Sequence, residues 1–156
     1  MDASSLLLRA AVDADRDRVL VWANDPDTRA ASFHCEPIAE AAHSAWFAES
    51  LTGARNLYII ERDGTAVGLA RLDPLPASEA FVSLTIAPEH RGRGLGPTAL
   101  AVLADKAASL GVSRLLARIR KTNTRSQRAF EQAGFALRGE EAMHGIPALL
   151  YELEPG

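Results

Sequence analysis

The chain predicts a mixed α/β fold of the α+β kind, and three observations carry that expectation. Short apolar runs with two-residue alternation stand before and after segments with helical spacing. An Asp63-Gly64 pair joins two of those runs, as a tight hairpin requires. Two helical segments stop at glycines, Gly111 and Gly134, which can take the left-handed backbone that closes a helix.

In chain order the predicted strands are 6–10, 57–62, 66–72, 80–86, 114–119, 135–138 and 148–153. The predicted helices are 13–23, 38–51, 96–110 and 124–133, with Asn24-Asp25-Pro26 read as a turn and helix cap. Segment 73–78, "DPLPAS", reads as a loop. In helix 96–110, Leu100, Leu103, Ala107 and Leu110 share a face suited to a core, opposite Asp105, Lys106 and Ser109. Strand 80–86 puts Val82, Leu84 and Ile86 on an apolar face and Phe81, Ser83 and Thr85 on a mixed one.

At 156 residues with 47% apolar content the chain suits one hydrophobic core, a single domain spanning 1–156. The early apolar run at Leu6 to Leu8 is too short for a signal sequence or membrane span, which points to a cytoplasmic location without a membrane partner. One cysteine, Cys35, excludes an internal disulfide, and the four histidines have no metal-ligand spacing, so no metal is expected. The net charge is only -3, yet residues 91–128 carry nine Lys or Arg against the single acid Asp105. Such asymmetry predicts an anionic ligand. That segment has no Phe, Tyr or Trp for a base to stack on, which argues against nucleic acid. Composition leaves monomer and homodimer equally open.

The chemistry concentrates in "PEHRGRGLGPTAL", 88–100, where three glycines precede a helix. A helix start leaves backbone N–H groups unpaired at the positive end of the peptide dipoles, and glycines let a phosphate approach them. The loop, 91–97, therefore reads as a pyrophosphate cradle with Arg91 and Arg93 at its rim. A P-loop needs Gly-Lys-Ser or Gly-Lys-Thr, whereas Gly96 is followed by Pro97 and Thr98. A dinucleotide-binding turn needs G-x-G-x-x-G near the first strand and an acid about twenty residues on; here the spacing is G-x-G-x-G at mid-chain, with Leu115, Leu116 and Ala117 in the acid's place.

The remaining pattern, R-x-x-G-x-G over Arg91 to Gly96 after a half-polar strand and a Pro88-Glu89 turn, resembles the acyl-CoA loop of the GNAT acetyltransferase superfamily. Downstream, "RIRKTNTRSQRAFEQAGF", 118–135, is similar to the next strand and helix of that family, and the order of elements matches along the whole chain. The resemblance implies a mostly antiparallel sheet of six to seven strands, splayed between strands 4 and 5 and flanked by about four helices. It further implies acetyl-CoA as co-substrate, its pantetheine arm entering the splay beside Leu84, Thr85 and Ile86. The pyrophosphate would lie on Arg91, Gly92, Arg93, Gly94, Leu95, Gly96 and Pro97, with Asn123, Ser126 and Phe130 touching the cofactor and Arg93, Arg125 or Arg128 near the 3′-phosphate.

By the same resemblance the reaction is N-acetylation of a small-molecule amine by direct attack in a ternary complex. Backbone near Leu84 would stabilise the oxyanion, beside Ser83. Many relatives carry a Glu where this chain has Phe81 and a Tyr where it has Phe130. Glu79, acting through water, and the loop residues His34 and Glu36 are the remaining candidates for the base. Segment 21–47 resembles the acceptor segment of acetyltransferases acting on nucleotide-linked 4-amino sugars in pathways to pseudaminic-type nonulosonic acids. That assigns Trp22, Arg29, Phe33, His34, Glu36, His43 and Trp46 to the acceptor. The opening W-x-N-D-P also occurs in relatives that acetylate protein N-termini. Two other classes fit parts of the sequence: a catalytically silent acyl-CoA-binding module, from Phe81 and Phe130, and a nucleic-acid-binding domain, from the basic segment.

Overall fold

The computed structural model describes residues 6–155. Its elements are β1 (Leu6–Ala10), α1 (Arg16–Ala23), α2 (Pro26–Ala31), α3 (Glu40–Glu49), β2 (Asn56–Arg62), β3 (Thr65–Leu75), β4 (Glu79–Ile86), α4 (Leu95–Ser109), β5 (Arg114–Arg120), α5 (Thr124–Gln132), β6 (Ala136–Met143) and β7 (Ile146–Leu153). The strands form one sheet in the order β1-β2-β3-β4-β5-β7-β6. Every neighbouring pair is antiparallel except β4 and β5.

The β2–β3 hairpin turns on Asp63 and Gly64, both at positive φ with Arg62 opposite Thr65, as the two-residue turn demands. A second turn of the same kind, His144-Gly145, joins β6 to β7. The sheet separates two apolar layers. On one face β2, β3, β4, β5 and β7 pack against α4 and α5 through Tyr58, Ile60, Val82, Leu100, Leu103, Leu115, Phe130 and Tyr151. On the other, Val19 and Trp22 of α1 and Phe47 of α3 cover Leu57, Ile59 and Leu69. That second layer reaches Ala87 at the end of β4, while Phe81, Ser83 and Arg118 on the same face of β4 and β5 are only half-buried. Among the described residues no helix is long and apolar enough to cross a membrane.

Several expected elements differ. The first helix divides into a 3-10 turn at Asp13–Asp15 and α1. The buried Asp15 carboxylate causes the break by accepting from Val12 N–H and from both Arg9 Nη atoms. Asn24-Asp25-Pro26 caps a helix missed in the sequence: Pro26 starts α2, and Asp25 accepts from the Thr28 amide. Segment 73–78 is not one loop. β3 runs through Pro74 to Leu75, paired with Ala80 and Glu79, and Pro76–Ser78 forms a 3-10 turn. Leu110, expected in the core, is 48% exposed because α4 ends at Ser109.

Candidate active site

The site begins where two parallel strands part. Glu79, Ala80 and Phe81 pair with Arg114, Leu115 and Leu116, and the register ends there. From Val82 onward β4 is bonded only to β3, leaving the backbone of Ser83, Leu84, Thr85 and Ile86 along a gap facing β5. An unpaired strand edge accepts an extended, amide-bearing ligand as an added strand.

At the open end of the gap, β4 passes through a 3-10 turn, Pro88–His90, into the glycine turn. Gly92 and Gly94 stand at φ 77° and 71°, and a Cβ on either would meet nothing within 4 Å. The space beside them is therefore open, and α4 starts directly behind the turn at Leu95. The amides of Gly92, Arg93 and Gly94 make no turn or cap hydrogen bond within the described residues. Those groups and the first-turn amides of α4 are free to bind a diphosphate. Gly96 serves packing instead: its ideal Cβ would lie 3.5 Å from Ala129 of α5.

Three expectations about this cradle need correction. Pro97 has no N–H to offer, and the Arg91 amide donates to Pro88 carbonyl, so the free donors begin at Gly92. Arg91 does not sit at the rim. Its Nε donates to Ile86 carbonyl at 3.0 Å, Nη1 to Asp25 at 2.8 Å and Nη2 to Thr28 Oγ1 at 2.8 Å, which ties the turn to α2. The Arg91 guanidinium holds the Asp25 carboxyl below its ordinary range, helped by the Thr28 amide. The same contact occupies the Ile86 carbonyl that was assigned to the cofactor arm. The Leu95 side chain is in the core, which leaves its backbone amide in the first turn of α4.

Asn123 is the N-cap of α5, its Oδ1 accepting from the Ser126 amide at 3.2 Å. This shapes the helix start and commits one acceptor site of that oxygen to the chain itself. Phe130 is buried and meets Phe135 edge-on, with 5.0 Å between ring centroids, so it is core. Arg93, Arg125 and Arg128 are exposed, as binding a terminal phosphate would require.

The acceptor residues separate into two groups. Trp22 is 6% exposed in the core under α1, and His43, 3% exposed, has Nε2 at 2.8 Å from Arg16 carbonyl. Both hold α1 against α3 and do not face the gap. Arg29 is a loop clamp, donating to Ala23 carbonyl, His34 carbonyl and Ser32 Oγ. Phe33, His34 and Glu36 lie in the segment after α2, where His34 meets His144 of the β6–β7 turn at 4.4 Å between rings. Trp46 is half-buried with the guanidiniums of Arg55 and Arg71 at 5.3 and 5.7 Å from its ring.

Glu79 sits at the closed end of the gap beside Arg114, its Oε2 at 3.3 Å from Nη1. Ser83 lies opposite Arg71 in the β3–β4 register. Four charged residues on this face of the sheet escaped the sequence reading: Arg71 and Asp73 of β3, Arg118 of β5 and Glu141 of β6. Arg118 lies 4.1 Å over the Phe81 ring and donates from Nε to Glu141 at 2.7 Å. The alternation Leu69, Arg71, Asp73 was the available signal, and reading 73–78 as loop hid it.

Among the described residues no group of three or more His, Cys, Asp or Glu is placed to hold a metal ion. A strand gap aimed at a helix-start cradle fits a long ligand with amides at one end and phosphates at the other. Known proteins agree. The model of the acetyltransferase (GNAT) domain matches residues 5–136. The spermidine N-acetyltransferase of Vibrio cholerae, solved with CoA and spermine, is 19% identical over 97% of this chain and 96% of its own, with a TM-score of 0.88. The ribosomal-protein-alanine N-acetyltransferase of Brucella melitensis is 25% identical over 95% of this chain and 99% of its own, at 0.81. A protein provisionally assigned as a phosphinothricin N-acetyltransferase is 28% identical over 97% and 99%, at 0.83. No curated protein matches the chain at a significant level. With that domain spanning all but its last strands, and with the split sheet and glycine cradle in place, the chain belongs to the GNAT family of acetyltransferases.

Proposed function

We propose that this chain transfers the acetyl group of acetyl-CoA to a primary amine by direct attack within a ternary complex. The observation that carries the reading is the run of unbonded amides at the open glycine turn, Gly92 to Gly94, next to the gap left where β4 leaves β5. The diphosphate of CoA would take the Gly92–Gly96 amides, and its pantetheine arm would lie along Leu84 and Thr85, carrying the thioester toward Ser83. Arg93, Arg125 and Arg128 would supply charge for the 3′-phosphate. Similar structures support this, since the Vibrio cholerae enzyme holds CoA and a Salmonella typhimurium neighbour holds acetyl-CoA.

In the reaction the neutral amine nitrogen bonds to the thioester carbon, and the carbonyl electron pair moves onto oxygen. A backbone N–H near Leu84, along the unpaired edge of β4, would donate to that oxyanion. The C–S bond then breaks, the thiolate leaves, and the nitrogen loses its proton to water. A thiol pKa of about 8.5 makes the thiolate a fair leaving group, so Phe130 in place of an acid is compatible with turnover. Glu79 is held by Arg114 at the closed end, and its part in this scheme is to relay the amine proton through water rather than to touch the nitrogen.

The acceptor would enter over the half-buried face of β4 and β5, between the segment after α2 and the β6–β7 turn. Nucleotide-linked 4-amino sugars remain one acceptor class, now on Phe33, His34, Glu36 and Trp46 alone, because Trp22, Arg29 and His43 serve the fold. Polyamines, aminoglycosides and protein N-terminal alanines enter the same panel from the neighbours. Thiol release from acetyl-CoA measured across these amines tests the proposal. CoA binding without release for any amine would leave a silent binding module, and absence of CoA binding by folded protein would overturn the site.

A further inference from the structure

Three interior arginines have every side-chain nitrogen committed within the fold. Arg9 is held by Glu61 and Asp15, Arg29 by backbone carbonyls and Ser32, and Arg91 by Ile86, Asp25 and Thr28. Arg71 is different. It is half-buried on the sheet face that carries Phe81 and Ser83, and its buried Nε makes no hydrogen bond. Asp73 Oδ1 lies 3.2 Å away and 3.7 Å from Arg55 Nε, so it is ion-paired with both, yet neither N–H is directed at it and it accepts no hydrogen bond. Neither Nη atom donates to any described residue. Burial lowers the Arg71 pKa, but a guanidinium stays charged at neutral pH. The buried Nε without a hydrogen bond carries a cost, and the partly exposed Nη groups remain available to a ligand.

Arg118 repeats the arrangement from the other side of β4. Its Nε edge is held by Glu141, its plane lies on Phe81, and its Nη edge is uncommitted among the described residues. Arg71 is level with Ser83, and Arg118, two residues beyond the last paired row at Phe81 and Leu116, reaches back over the Phe81 ring where β4 and β5 begin to part. Their strands lie two spacings apart, roughly 10 Å, a span two arginine side chains can close. β4 contributes no acid between them: that row holds Phe81 and Ser83. Arg118 is thus oriented by the Glu141 carboxylate and Arg71 lies beside Asp73 and Trp46, and both keep Nη groups without a protein partner among the described residues on the sheet face over the gap. A carboxylate fits such a fork with two parallel hydrogen bonds.

We infer that Arg71 and Arg118 bind an acidic group on the acceptor, so that the acetylated amine belongs to a molecule with a carboxylate or similar oxyanion within a few bonds of the nitrogen, as in an amino acid. The inference rests on the acetyltransferase reading and narrows its acceptor. Its test compares an amino acid with the amine made by its decarboxylation, phenylalanine against phenethylamine for example, in wild-type protein, Arg71→Gln, Arg71→Lys and Arg118→Gln. Two readouts are taken: kcat/KM by thiol release, and calorimetric affinity for the CoA-saturated protein, which needs no turnover. CoA affinity reports that each variant is folded, and the lysine variant keeps the charge should glutamine prove too disruptive.

The expected result is a preference of about ten- to a hundredfold for the acid-bearing partner, the scale of one charged hydrogen bond. The ratio falls toward one in both glutamine variants and partway in Arg71→Lys. Equal binding of the two partners, a preference for the plain amine or for spermidine, or a ratio indifferent to both arginines would overturn the inference while leaving acetyl transfer intact. Failure of the acetyltransferase reading has a separate signature, namely no thiol release with any amine.

Discussion

Replacing Gly94 by valine separates backbone strain from ligand exclusion, because the fold contains a matched control. Gly94 begins α4 at φ 71°, and Gly111 follows its end at φ 83°; a Cβ at either would meet nothing within 4 Å. Both substitutions therefore force a branched side chain into the left-handed region without a clash in the protein. Each costs about 1–2 kcal/mol, or a melting temperature lower by about 2–8 °C for a chain of this size. Only Gly94 adjoins the free amides of the cradle. There the valine methyls would occupy the open space beside the amides and lift the diphosphate off one or two N–H donors. Each charged hydrogen bond lost is worth roughly 1.5–3 kcal/mol, so CoA affinity should fall at least tenfold. Isothermal titration calorimetry with CoA and a thermal melt on both variants make the comparison. Equal CoA affinities in folded Gly94→Val and Gly111→Val would refute the cradle, since strain would then account for everything.

Two further outcomes follow from the same contacts. Asp15 is buried against Arg9, whose hydrogen bonds lower its pKa below the ordinary 3.8, and Arg91 does the same for Asp25. A depressed carboxylate stabilises fully above its unfolded pKa and loses that contribution as pH falls through the folded value; the melting temperature should drop most steeply below about pH 4. In Asp15→Asn, which leaves Arg9 with Glu61 as its one carboxylate partner, stability at pH 7 should fall by about 1–3 kcal/mol, and part of the acid dependence should go with it; denaturant melts at pH 7 and pH 3 check both. Gly68→Ala would put a Cβ 2.4 Å from Thr85 carbonyl oxygen and 3.2 Å from Ile86 Cα, backbone atoms that move only if β4 moves. A loss of about 1–3 kcal/mol, together with weaker CoA binding in calorimetry, is expected because the displaced residues border the gap.

Much of the fold was legible because it is encoded locally. Asp63-Gly64 has one economical conformation between two alternating runs, and it became the β2–β3 turn. Gly111 and Gly134 closed their helices at positive φ, as anticipated. Residues whose partners are distant were misread. Trp22 and His43 looked like acceptor contacts because aromatic and imidazole groups suit either a core or a pocket, and sequence spacing does not tell which side of a sheet they meet. Arg91 looked like a rim charge until Asp25 and Thr28, more than sixty residues earlier, claimed it.

What the sequence determined by itself was the glycine turn before a helix, with its free amides and positive end, and hence the expectation of a phosphate-bearing ligand. That needs only local backbone chemistry: glycines at 92 and 94 accept left-handed φ, and a helix start leaves its N–H groups unpaired. Tertiary structure alone decided where β4 parts from β5 and which charges stand over that gap. Arg71, Phe81 and Arg118 come from three strands and meet only when the sheet's register sets them side by side, and a register between distant strands is an outcome of packing the whole core.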